Sequence, residues 1–189
     1  MNSSDPGRPP IVGDADRRAA VLESALATFA RFGYRKTSME EVARAADISR
    51  PGLYFLFASK ETLFRSAVTQ ALDQDLAAIE RILADTDRPL RQRLLESFDR
   101  WSGRYIGPLT GDIPTVIEEN PSLLGPVAEA APWHFEELIT AAVTAGPARD
   151  SAIPVAQTLI STSVGIKHQV SSRDDYLERL EIAVRLLVG

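Results

Sequence analysis

The chain has 189 residues, 44% of them apolar and 25% charged, with a net charge of −5 and no cysteine. That length suffices for one sizeable core or for a small head on a larger body, and the composition is globular rather than disordered or membrane-spanning. The lack of cysteine excludes disulfides, thiolate metal sites and thiol catalysis, and no apolar run approaches the ~20 residues that a bilayer crossing needs.

Residues 1–15, rich in Pro, Gly, Ser and Asp, show no periodicity and are expected to form a disordered arm. They lack the basic start and apolar run of a secretory signal, so a cytoplasmic location is expected. From Asp16 the pattern turns helical: Val21, Leu22, Ala25, Leu26, Phe29 and Phe32 recur at spacings of three and four, and Gly33 ends the run. Ser38 can cap the next helix while Glu41 reaches back to complete a capping box, which predicts a short helix to about Ala46. Asp47-Ile48 breaks it. Ser49 then caps a second short helix over 50–57, with Pro51 tolerated in its first turn. Ser59 caps a long helix whose stripe is Leu63, Phe64, Ala67, Val68, Ala71, Leu72, Leu76 and Ile79. Beyond Asp85, prolines mark helices over 89–105, 114–119, 121–144, 153–168 and 173–188, and no strand pattern is evident.

The charge is unevenly spread. Residues 1–65 hold ten Lys or Arg against eight Asp or Glu, and the remainder holds eleven against eighteen, so a mildly basic head precedes an acidic body. Such a split suits a head that meets DNA phosphates while the body stays away from them.

Residues 37–64 read TSMEEVARAADISRPGLYFLFASKETLF. A capped helix, a tight turn, a second short helix and a capped long helix are the order of a helix-turn-helix whose second short helix enters the major groove. Val42, Ala43, Ala46, Ile48 and Leu53 would hold the pair together. The residues expected to face outward, Lys36, Thr37, Ser38, Ser49, Arg50, Tyr54 and Lys60, offer charged or hydroxyl donors, and Gly52 clears room for close backbone approach. Arg50 is the long cation at the front of the reading helix, and a guanidinium can bond guanine O6 and N7 together. Lys60 sits at a helix start, where free N–H groups also attract phosphate. Helix-turn-helix geometry also occurs in proteins that bind no DNA.

Over residues 17–68 the chain resembles the TetR family of transcriptional regulators. The first helix ends in Phe-x-x-Phe-Gly-Tyr, followed by Thr-Ser, Val-Ala-x-x-Ala and Ile-Ser-x-x-x-Leu-Tyr-x-x-Phe-x-Ser-Lys-Glu-x-Leu. The resemblance implies phosphate contacts from Thr37, Tyr54 and Lys60, and base or groove contacts from Ser49, Arg50, Pro51 and Gly52. Asp47 stands where the family usually has the turn glycine, and Asp tolerates the left-handed conformation better than most residues. Leu56 replaces a common His or Tyr, which removes one phosphate contact.

The fold class expected is therefore all-α, with a three-helix head over 16–62 and a larger ligand-binding and dimerisation bundle over 63–189, about nine helices in all. In the body, Phe98, Trp101, Tyr105, Val116, Trp133 and His134 could line an apolar pocket with a few polar handles; each could equally fill the core. His134 and His168 lack the spacing of a metal motif, and no metal or cofactor is expected. The last two helices carry Leu159, Ile160, Ser163 and Val164, and Tyr176, Leu180, Val184 and Leu187. The resemblance implies that they form a four-helix interface between two copies. The function expected is a homodimeric repressor that releases a pseudo-palindromic double-stranded DNA operator when a small lipophilic or aromatic effector binds the body. The competing expectation is a helical ligand-binding protein whose head no longer touches DNA. No nucleophile, base and orienting group come together in the sequence as an enzyme would require, and no membrane partner is expected.

Overall fold

The computed structural model describes residues 13–107 and 121–189. Most of the expected arm, the short helix over 114–119 and Val116 lie outside them. Eight α-helices make up the described residues, joined by turns and short 3₁₀ segments, with no strand among them. They are α1 (Asp14–Phe32), α2 (Met39–Ala45), α3 (Arg50–Leu56), α4 (Lys60–Ala84), α5 (Leu90–Trp101), α6 (Val127–Thr144), α7 (Ala152–Lys167) and α8 (Arg173–Val188).

Caps set the starts of the short helices. Ser38 accepts from Glu41 N while Glu41 accepts from Ser38 N, so the expected capping box is complete. These bonds hold the exposed Glu41 carboxyl below its usual range. Ser49, Ser59 and Ser172 cap α3, α4 and α8 by accepting from Gly52, Thr62 and Asp175 N–H groups. At the end of α2, Ile48 N donates to Ala43 O and Asp47 N to Arg44 O, a Schellman closure with Asp47 at φ 52°. That is the position where the sequence lacks a glycine.

Two expected helices are shorter than their periodicity suggests. The first stops at Trp101 and tightens into a 3₁₀ turn, Gly103–Tyr105. The chain bends there because Gly103 lies under Tyr176 and Asp99; a Cβ at this residue would come 2.5 Å from Asp99 Oδ1. The second begins only at Val127, after a 3₁₀ turn, Pro121–Leu123, and a left-handed Gly125 at φ 62°. Gly125 and Pro126 interrupt any helix running in from residue 121.

Packing forms two apolar clusters strung on α4. In the head, Val21, Ala25 and Phe29 of α1, Val42 of α2, and Leu53 and Phe57 of the α3 region close on Leu63, Phe64, Ala67 and Val68 of α4. Leu124 reaches this cluster from the body side. Phe29, Tyr34 and Phe64 contact one another there, Phe29 and Phe64 edge to face at 5.2 Å. The body cluster is built on Leu76, Ile79 and Leu83 of α4, with Leu94 and Phe98 of α5, Phe135 and Ile139 of α6, Leu159 of α7, and Tyr176, Leu180 and Val184 of α8. Leu72 and Val127 touch both clusters.

Candidate nucleic-acid interface

Helix α3 is anchored from one side only. Leu53 and Phe57 are buried in the head, whereas Ser49, Arg50, Pro51, Tyr54 and Phe55 face outward. Positions 50 and 54, and 51 and 55, lie one turn apart, so these side chains form a continuous strip. Arg50 lies 5.7 Å from the Tyr54 ring centroid and 3.8 Å from Glu40 of α2, both in exposed positions. An exposed ion pair of that length is weak, and a guanine edge or phosphate can displace it. The last turn of α3 is held by Arg18 of α1, whose guanidinium donates to Leu56 O at 3.0 Å and lies 4.2 Å from the Phe57 ring centroid. Sequence periodicity did not single out Arg18, because its partners are a carbonyl and a ring on a different helix.

Three expected DNA contacts have different immediate surroundings from those anticipated. Thr37 is only 2% exposed, and its hydroxyl donates to Gly33 O at 2.8 Å, pinning the turn between α1 and α2. Lys60 Nζ donates to the carbonyls of Tyr34 and Thr37, both at 3.1 Å, and lies 4.6 Å from the Tyr34 ring centroid. Lys60 thus ties the start of α4 to that same turn. Ser38 spends its hydroxyl on Glu41, as acceptor from N and donor to Oε2. Lys36 stands exposed in the α1–α2 turn, and a Cβ added at Gly52 would come 3.0 Å from the capping Ser49 Oγ.

In the body the five described residues of the expected pocket, Phe98, Trp101, Tyr105, Trp133 and His134, do not line one cavity. Phe98 is buried edge to face with Phe135, and Trp101 stacks on the same Phe135 ring at 4.7 Å between centroids. Tyr105 donates from its hydroxyl to Asp75 Oδ2 at 2.6 Å. Trp133, 64% exposed, and His134 project to the opposite side of α6, because residues 131, 135 and 139 take its inner face. Trp133 instead borders an open cleft with Glu136, Glu137, Thr140 and Ile153.

Asp75 was missed by sequence reading. It is buried in the apolar stripe of α4 and also accepts from Arg100 Nε at 2.7 Å and Arg104 Nη1 at 2.8 Å. A charge inside a stripe of Leu72, Leu76 and Ile79, facing Arg100 and Arg104 four apart, was the available signal. Burial and the adjoining carboxylate push the Tyr105 phenol well above its ordinary range.

The expected dimer residues also divide differently. Leu159, Ser163, Tyr176, Leu180 and Val184 are buried within their own chain, with Ser163 and Tyr176 hydroxyls 2.7 Å apart. Ile160 and Leu187 are half-buried and Val164 is exposed. The apolar stripe that the sequence displays on each helix is the one its own body consumes; the outer faces carry Ile153 and Val164 on α7, and Ile182 and Leu186 on α8.

Comparison with known proteins bears on the head and the fold separately. The family model for bacterial regulatory proteins, tetR family, matches residues 21–67. The HTH-type transcriptional regulator RutR of Escherichia coli strain K12 is 28% identical over 151 residues, spanning 66% of this chain and 71% of RutR. The HTH-type transcriptional repressor ComR of the same organism is 33% identical over 92 residues, 49% of this chain and 42% of ComR. Among solved structures, reduced NemR from E. coli superposes with a TM-score of 0.74 at 17% identity, covering 92% of this chain and 98% of NemR. A TetR-family regulator from Mesorhizobium loti gives a TM-score of 0.72 at 20% identity, covering 93% and 96%. The head thus matches the sequence model of the tetR family of bacterial regulatory proteins over residues 21–67, and the fold is that of solved TetR-family regulators.

Proposed function

We propose that the chain works as a homodimeric repressor that binds a pseudo-palindromic operator through α3 and releases it when a small lipophilic or aromatic effector binds the body. The observation that carries this reading is the α3 strip: Arg50, Pro51 and Tyr54 face solvent on a helix fixed from behind by Leu53, Phe57 and the Arg18 bond. A rigid, outward helix with a guanidinium at its start is what major-groove readout needs. Pairing two such helices one turn of duplex apart requires a second copy. Val164, Ile182 and Leu186 on the outer faces of α7 and α8 supply apolar area for it. Effector response is supported by α4, which packs in both clusters and so would transmit a shift in the body to the head. The effector needs only to prefer one spacing of the heads by a few kcal/mol. No helix among the described residues is long and apolar enough to cross a membrane, which accords with a regulator that meets DNA in the cytoplasm.

The test is selection of duplexes from a randomised library by the full chain, followed by titration at several salt concentrations. The expected result is an enriched two-fold symmetric site whose binding weakens steeply with salt. Arg50→Ala should relax preference at one base pair per half-site, costing about 1–3 kcal/mol there. Failure to retain any duplex at low salt would favour a ligand-binding protein with a silent head.

A further inference from the structure

The outward strip of α3 has two chemically distinct halves. Arg50 and Tyr54 form the polar half. Pro51 and Phe55, also one turn apart, form the other, and neither carries a polar side-chain atom. Phe55 is 90% exposed, more than any other large apolar side chain among the described residues. Its neighbours Leu53 and Phe57 already fill the head's contact with α3. A phenyl ring left wholly in water forgoes the stabilisation that burial would give, so folding of the chain does not account for this residue.

We infer that Phe55 is a specificity-determining residue that packs its ring against the C5-methyl group of a thymine in the operator, next to the base pair met by Arg50. This rests on the DNA-binding reading above. Phosphate oxygens offer a phenyl ring no matching surface, whereas the thymine methyl is the apolar group that base pairs display in the major groove. Pro51, at the preceding turn, continues the apolar strip and shields the methyl from water on a second side. A cytosine at that position would press its N4 amine against a ring that cannot accept from it in place of water, so cytosine is disfavoured as well. Discrimination at this base thus comes from hydrocarbon contact, independently of the hydrogen bonds made by Arg50.

The experiment uses the full chain and the duplex enriched from the randomised library, with each thymine replaced in turn by deoxyuridine. That change deletes one methyl group and leaves base pairing intact. At one thymine per half-site, binding is expected to weaken about fourfold, and roughly 15-fold when both half-sites are changed, the factors for losing burial of one or two methyl groups. Phe55→Ser should remove this sensitivity while leaving the guanine preference and the melting temperature in place; Phe55→Leu should retain part of it. The inference is overturned if no uridine substitution weakens binding, if the half-sites contain no thymine, or if Phe55→Ser remains as sensitive as the parent. Should no duplex be enriched at all, the DNA-binding reading falls first and this one with it.

Discussion

Replacing Asp75 with alanine tests what a buried carboxylate contributes at the joint between α4 and the end of α5. Its side chain is nearly inaccessible, yet the Arg100 and Arg104 side chains that bond it are more than a third exposed. When the carboxylate is removed, both guanidinium groups can turn into water, so each loses only the ~0.5 kcal/mol of a solvent-screened pair. Tyr105 is different: its hydroxyl loses its Asp75 acceptor while half-buried, which costs about 1–2 kcal/mol. The expected total is about 2–3 kcal/mol, dominated by the phenol. In a Tyr105→Phe background no hydroxyl is orphaned, so the same replacement should cost about 1 kcal/mol, a coupling of ~1–2 kcal/mol between the two positions. The assay is urea unfolding followed by far-UV circular dichroism, with protein concentration fixed because association would add to apparent stability. The reasoning is refuted if Asp75→Ala unfolds within about 0.5 kcal/mol of the parent, the range of an ordinary surface substitution, or if its cost is unchanged by Tyr105→Phe.

Asp47 occupies a left-handed turn at φ 52°, so Asp47→Gly should raise stability by up to ~1 kcal/mol and Asp47→Val should lower it by more than ~1 kcal/mol; equal melting temperatures for the two would contradict the strain argument. Burial holds Tyr105 and Tyr176 protonated above their ordinary range, Tyr176 up to about 12. Since the folded state then keeps protons that the unfolded state loses, their contribution is intact below pH ~10 and is lost as pH rises towards the folded values. Urea midpoints should accordingly fall from pH 9 upwards to about pH 11, and a flat profile would exclude this linkage. Leu186, 76% exposed on α8, is expected to lie in the contact between copies; Leu186→Glu should give a monomer in light scattering with an unchanged helical spectrum, and a variant that still pairs like the parent would move the contact elsewhere.

The head was largely legible because its signals are local. Ser38, Ser49 and Ser59 announce helix starts through bonds to residues three positions ahead, and a cap three residues long is readable from sequence alone. Apolar periodicity placed the inner faces of α1 and α4 correctly except at Phe32, which the structure leaves 44% exposed at the end of α1. The body was less legible, since periodicity shows which face of a helix is apolar but not what covers it. On α7 and α8 the conspicuous stripes through Leu159 and Leu180 are consumed internally, leaving sparser residues such as Val164 and Leu186 outside. Long-range polar bonds were out of reach for the same reason. Neither the Arg18 bond to Leu56 O nor the tie from Lys60 to the carbonyls of Tyr34 and Thr37 has a sequence period. A lysine expected to reach for phosphate is found holding the turn that orients α2, a role that residue type and spacing could not distinguish.

Because Lys60–Ala84 is one unbroken helix, its 25 residues form a rod about 37 Å long whose upper third completes one core and whose remainder completes the other. Leu72 packs against both cores, so a cut beside it takes apolar contact from one or the other. A fragment ending at residue 62 would forfeit Leu63, Phe64, Ala67 and Val68. Lineages that exchange reading heads between sensing bodies therefore have to recombine inside a helix, and must bring a compatible residue at position 124 along with it.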